Sequence, residues 1–484
     1  MQFGRTKILR DEADITEDNV VQVLLETYQT HSINSSHIKI LYDNYKGNQE
    51  ILQRTKTIRP KICNKIVENR ANEIVSFKTG YLCGEPLQYV SRGSDESVSE
   101  EIGKLNDMMM LCGKAKQDKE LAEWMYIAGA GYRMVLPNAE RIRNHIVPTL
   151  LNKPIPFSDD EAPYSIYTLD PRYSYVVYHS GLGEPPLMGV KYVQQKDNSV
   201  IYSVYTPTKY FELKGSALNG SAKLIKSKSQ VNALGCVPII EYPLNNARIG
   251  VFETVLSILN AINTIQSNRI DGIEQFVQSL LVLYNCEIED DVAEVLRESG
   301  LIKLKAFGDN KADVKEIASQ LNQSETQTLV DYMYQTVLNI VGMPNRNGGT
   351  STSDTGSAVI MRDGWESAES RAKSDELMFK ESERQFLKIA LRIIRATVGT
   401  TLKLSDIETK FTRRNYDNIL SKSQVLSTML SNDKIAPILA FTYCGMFSDP
   451  EDAAKQSMEY YSKIKDGAEV ETYNTEEKVG GSIA

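Results

Sequence analysis

At 484 residues the chain is too long for one simple core, and 41% hydrophobic with 24% charged residues reads as ordinary globular material in two to four modules. The start, Met1-Gln2-Phe3-Gly4-Arg5-Thr6-Lys7, has no apolar h-region, and no apolar run is long enough to cross a bilayer. Six scattered cysteines without a C-x-x-C pair argue against a disulfide framework or a zinc ribbon. The formal charge of −8 argues against a protein that grips duplex DNA by neutralising phosphates.

Thr16 is placed to cap a first helix, with Glu17 and Asp18 in its first turn and Val20, Val23, Leu24 and Thr27 as its stripe. Ser35 or Ser36 begins a second helix that Gly47 stops. Residues 61–79 read as a third, with Ile62, Ile66, Val67, Ile74 and Val75 inward, and two amphipathic helices follow at about 98–112 and 114–128. Between 164 and 242 the pattern changes to short tyrosine-rich strands parted by turn signals such as Asp170-Pro171 and Asn219-Gly220, which suits an antiparallel sheet with one wet face.

Val251, Val255, Ile258, Leu259, Ile262, Ile265, Ile270, Ile273, Val277 and Leu280 then recur every three or four residues, so a long helix is expected over 251–281. Its single apolar stripe suits side-by-side packing with copies of itself. Leu280–Tyr284 and Leu301–Ala306 read as strands around a short helix at Asp290–Glu298, a module too small for its own core. Lys303 and Lys305 alternate with apolar residues there, giving one basic strand face in an acidic chain. Ser324-x-x-Gln327 reads as a capping box for a return helix that stops at Gly342-Met343-Pro344.

Next comes a loop of small polar residues, Asn345-Arg346-Asn347-Gly348-Gly349-Thr350-Ser351-Thr352-Ser353-Asp354, whose two charges cancel. Residues 358–397 form a second long helical pattern dense in opposite charges, including Glu366, Glu369, Lys373, Lys380 and Glu383, as on a solvated face. Residues 416–430, 434–446 and 450–465 look like short helices, and the acidic tail from Asp466 has the composition of a disordered segment.

Tyr45-Lys46-Gly47-Asn48-Gln49-Glu50-Ile51-Leu52-Gln53-Arg54, Asn64-Lys65-Ile66-Val67, Thr79-Gly80-Tyr81-Leu82-Cys83-Gly84-Glu85-Pro86, Tyr242-Pro243-Leu244-Asn245-Asn246, Asn260-Ala261-Ile262-Asn263 and Ser267-Asn268-Arg269 follow one another in order. They resemble the signature blocks of tailed-bacteriophage portal proteins of the siphophage branch, over residues 40 to 400. The resemblance implies an α+β, predominantly α, portal fold assembled as a ring of twelve. Its expected parts are an N-terminal helical arm (1–44), an α/β wing (45–250), a stem helix (251–281), a clip (282–323), a second stem helix (324–344), a tunnel loop (345–357), a long wing helix (358–404), a helical crown (405–465) and the tail (466–484). It further implies a conduit for double-stranded DNA at one capsid vertex of the virion, put together in the bacterial host cytoplasm. Terminase large subunit and a head–tail adaptor would be its partners, with major capsid and scaffolding proteins around the wing. On that reading Arg346 to Asp354 touch passing DNA weakly, Lys303 and Lys305 dock partners, and Ile262 and Val337 lie between subunits.

No P-loop, dinucleotide fingerprint, metal-ligand spacing or nucleophile–base set stands out in the sequence. Neither cofactor, metal, catalytic residue nor membrane is therefore expected. The alternative class is a metal-dependent enzyme acting on DNA, with the acidic run Glu287-Ile288-Glu289-Asp290-Asp291 as its metal cluster.

Overall fold

The computed structural model describes residues 4–57, 60–93, 95–138, 162–216, 224–277, 280–284, 286–287, 305–306, 313–317, 323–345, 364–412, 419–447 and 450–465. The chain opens with β1 (Ile8–Arg10), α1 (Val20–Lys46), α2 (Arg70–Cys83), β2 (Gln88–Ser91), α3 (Glu96–Leu111) and α4 (Lys114–Ala128). Strands β3 (Ala130–Pro137), β4 (Tyr164–Leu169), β5 (Ser174–His179), β6 (Pro186–Gln194), β7 (Val200–Tyr205), β8 (Lys209–Gly215), β9 (Leu224–Val231) and β10 (Ile239–Pro243) follow. Then come α5 (Leu256–Val277), β11 (Leu280–Tyr284), β12 (Cys286–Glu287), β13 (Lys305–Ala306), β14 (Asp313–Ile317) and α6 (Gln323–Val341). Last come α7 (Trp365–Thr397), β15 (Ile407–Lys410), α8 (Ile419–Leu430), α9 (Pro437–Cys444) and α10 (Pro450–Lys465).

α1 is one helix, where the sequence suggests two. Ser35 and Ser36 lie in its middle because their hydroxyls already have acceptors, the Arg172 and Ser32 carbonyl oxygens, both at 2.9 Å. A serine so satisfied has no reason to cap. Gly47 does end the helix in the left-handed region at φ 90°.

Strands run in the order β1-β5-β6-β7-β8-β9, with β1 parallel to β5 and every other pair antiparallel. Ile8, Val20, Val23 and Leu24 pack against Tyr175, Val190, Tyr202 and Phe211 of this sheet. β1 and the first turns of α1 are therefore part of this sheet's own core. His31 of α1 is buried and stacked on Tyr175 at 4.3 Å; burial draws its imidazole down to about 4, so it stays neutral at pH 7.

The main core gathers α2, α3, α4, α5, α6 and α7 around the sheet β10-β3-β4. A wholly buried charge network sits within it. Lys114 Nζ lies 2.6 Å from Asp118 Oδ2 and 2.9 Å from Glu383 Oε1, while Arg133 pairs with Asp118 and lies 3.0 Å from Glu383 Oε2. The Tyr89 and Tyr242 hydroxyls donate to Glu383 at 2.5 and 2.7 Å. Burial alone would raise the Glu383 carboxyl, but Lys114, Arg133 and the two phenols outweigh it and hold it well below the usual carboxylate range. The charge-dense pattern of α7 is thus not a wholly solvated face, because Glu383 is buried completely.

Candidate functional site

α5 carries Asn263, Ser267 and Asp271 at four-residue spacing, so all three lie on one side of the helix, and all three are buried. Their partner is the segment 62–68, which lies outside any helix and turns alternate N–H groups toward α5, with α2 starting only at Arg70. The Asn64 N–H donates to Asp271 Oδ1 at 2.7 Å, Ile66 N–H to Ser267 Oγ at 2.9 Å and Glu68 N–H to Asn263 Oδ1 at 2.8 Å. Two extended residues advance about 6.6 Å and four helical residues about 6.0 Å. The two repeats therefore stay in step for three rungs, and helix side chains do for this strap what a neighbouring strand does in a sheet. Ile62, Ile66 and Val67 mimic a helical stripe, yet the strap is not helical because its backbone donors have acceptors waiting on α5.

Each end of the ladder is tied to the segment after α1. Asp271 lies 2.5 Å from Lys56 Nζ and 3.1 Å from Arg54 Nη1, and Arg54 also donates to Asn268 and, at 3.1 Å, to the Asn64 carbonyl. Burial would raise the Asp271 carboxyl, but Lys56 and the Asn64 donors outweigh it and lower it. At the other end Asn263 donates to Gln49, whose own amide reaches Asn44 and Asn69, both at 3.2 Å.

A second anchor holds the segment that leads into α5. Glu253 accepts from the Gly4 N–H at 2.9 Å, from the Gly250 N–H at 2.8 Å and from the Arg5 guanidinium. Gly4 has φ +79°, and a Cβ there would lie 2.2 Å from the Ala247 carbonyl oxygen, so only glycine fits.

α5 and α6 run antiparallel, since Arg269 near the end of α5 donates to Gln323 at 3.1 Å and Gln327 at 2.7 Å near the start of α6. Gln323 is already helical, so Ser324 is not the cap that the sequence suggests. α6 stops where expected: Gly342 takes φ +66° and the Met343 N–H donates to the Leu338 carbonyl at 2.9 Å.

Burial differs along this helix pair, although Val330 is buried and Ile340 exposed against the trend. At the end next to the main core Leu256, Leu259 and Ile262 of α5 and Val337, Leu338 and Val341 of α6 are buried. At the far end Ile270 and Ile273 of α5, and Leu329 and Tyr332 of α6, are exposed, Tyr332 at 69%. Ile262 and Val337, expected between subunits, are exposed by 1% and 0% in the single chain.

Scanned against family models, residues 26–469 match the phage portal protein, SPP1 Gp6-like. The chain belongs to this portal family. No curated protein matches it. The family is a structural one of capsid assembly and self-association, which places the protein at a capsid vertex of the virion. Within this portal protein the signature blocks turn out to be bonded to one another. Gln49 and Arg54 come from the first block, Asn64 and Ile66 from the second, and Asn263, Ser267 and Asn268 from the stem motifs. Membership of ordered motif blocks was the sequence signal for the ladder; which residue meets which was not readable from it.

Arg346, Asn347, Gly348, Gly349, Thr350, Ser351, Thr352, Ser353, Asp354 and Lys303 lie outside the described residues. Lys305 opens β13, opposite Glu287 of β12. Among the described residues no group of three or more His, Cys, Asp or Glu could hold a metal ion, and no helix is long and apolar enough to cross a membrane.

The ladder makes a direct prediction. Ser267→Ala removes the acceptor of the Ile66 amide, along with the hydroxyl's own bond to the Asn263 carbonyl at 2.8 Å, so hydrogen exchange at Ile66 should quicken about tenfold, as expected for one lost buried hydrogen bond. The Glu68 amide should change less. Equal exchange at Ile66 in both proteins would show that this rung carries nothing.

Proposed function

We propose that the portal protein assembles into a ring of twelve at one capsid vertex, a conduit through which double-stranded DNA is packaged and ejected. Terminase large subunit and a head–tail adaptor dock on that ring, and scaffolding and major capsid proteins surround its wing. One observation carries the reading: away from the main core, α5 and α6 leave Ile270, Ile273, Leu329 and Tyr332 uncovered. A lone chain gains nothing from Tyr332, Leu329 and Ile273 in water, whereas neighbours placed around an axis cover them. The net charge of −8 supports passage over gripping, because each cation–phosphate contact would have to be broken as DNA moves.

In this reading residues 346–354 line the narrowest part of the conduit, and Lys303 with Lys305 contribute to docking. Native mass spectrometry of the purified protein should show closed rings. In a packaging assay with terminase and procapsids, cross-linking cysteines placed at Thr350 of adjacent subunits should stall DNA entry while rings persist. A protein that stays monomeric at micromolar concentration, or normal packaging after cross-linking, would overturn the proposal.

A further inference from the structure

α2 meets both α5 and α6. Through the strap that leads into it, its N-terminal end is fixed to α5 by the ladder, and Asn69 caps it by accepting from the Asn72 N–H at 3.3 Å. Along its length it touches α6 at two levels. The Arg70 guanidinium lies over the Tyr334 ring at 4.1 Å, and Lys78 Nζ donates to the Gly342 carbonyl at 3.2 Å. The contacts are eight residues apart on each helix, so the two helices run alongside in the same sense for about 12 Å. Lys78 is buried, and its acceptor belongs to the C-terminal end of α6, where a cation is favoured.

The same face of α2 reaches the start of α7. Tyr81 donates to Glu369 at 2.9 Å, and the Phe77 and Tyr81 rings lie 6.1 and 6.2 Å from that of Trp365. Those two places are neighbours, since a Cβ on Gly364 would sit 3.9 Å from the Pro344 Cα. The chain between them leaves and returns at one root, and α2 grips both sides of that root. Arg371 also lies there, against Gly342, with Asp375 close enough to act on Lys78. Burial draws the Lys78 ammonium down to about 8, Asp375 opposing and Arg371 adding to the effect, so it remains charged at pH 7.

We infer that Lys78 is a positioning residue, and that strap and α2 together form a lever transmitting shifts of α5 to the root at Gly342–Pro344 and Gly364. If the proposed function holds, this couples the stem to the narrowest part of the conduit; the coupling itself is independent of it.

Hydrogen exchange of the assembled protein tests both statements. Lys78→Met should raise exchange of the Met343 amide about tenfold, and Lys78→Arg should restore most of the protection. The deciding variant is Ser267→Ala, which touches only the ladder, yet should raise exchange at Met343 two- to threefold. In the double variant Ser267→Ala with Lys78→Met the ladder change should add nothing further at Met343. A root that responds to Lys78→Met but not to Ser267→Ala would reduce Lys78 to a local helix cap and overturn the lever. If the root loosens as expected and packaging by the Lys78→Met ring is unchanged, the conduit role of that segment falls while the coupling stands.

Discussion

Replacing Glu383 by Gln should cost the folded protein about 3–5 kcal/mol, the largest single loss outside the stem. The side chain holds together four elements. Lys114 comes from α4, Arg133 from β3, Tyr242 from β10 and Tyr89 from β2, and all reach one carboxylate on α7. With Gln in place, Lys114 and Arg133 remain buried and share Asp118 alone, and an uncompensated buried cation is what makes such a loss severe. The pH dependence follows from the depressed carboxyl. A folded value below the unfolded one gives stability that is complete above the ordinary carboxylate value near 4.5 and is lost as pH falls below it. Denaturant midpoints of both proteins at pH 7 and pH 3 should therefore converge toward the acid side. A difference under about 1 kcal/mol at pH 7, an ordinary surface effect, would mean that the network does not bear on the fold.

Glu383 also marks where sequence reading reached its end. The charge pattern of α7 shows opposite signs at helical spacing, and nothing within it separates Glu383 from Glu376 or Glu369. Only the tertiary arrangement, which brings Lys114 and Arg133 to that one turn, decides which acid is buried. Elements with strong local periodicity were legible: α3, α4, α5, α6 and most strands between 164 and 242 stand within a few residues of where the pattern puts them, and α7 ends where expected. The strap was not. Ile62, Ile66 and Val67 are spaced as a helix would space them, while the acceptors that hold the segment out of a helix lie about two hundred residues further on. β3 escaped for a related reason. Arg133 at its centre looks like a break in an apolar strand until its partners are known.

Burial divides the apolar stripe of α5 and α6 into covered and exposed residues, and that distinction sets the second prediction. Ile262→Asp and Val337→Asp each bury a carboxylate in the chain's own core, where desolvation without a partner is costly. They should abolish soluble protein outright and say nothing about assembly. Ile270→Asp with Tyr332→Asp is different, because both side chains are exposed in the single chain and their replacement leaves the core intact. Circular dichroism and the denaturant midpoint of that double variant should match the parent within about 0.5 kcal/mol, as surface changes do. Its assembly should not match. A charge at each seam of a closed ring is repeated at every interface, so a cost of about 2 kcal/mol per contact multiplies around the circle. Size-exclusion chromatography should then show folded monomers where the parent forms rings. Rings from Ile270→Asp with Tyr332→Asp would place the subunit contacts elsewhere on the chain. Folded monomers from Ile262→Asp would mean instead that the covered part of the stripe also faces a neighbour.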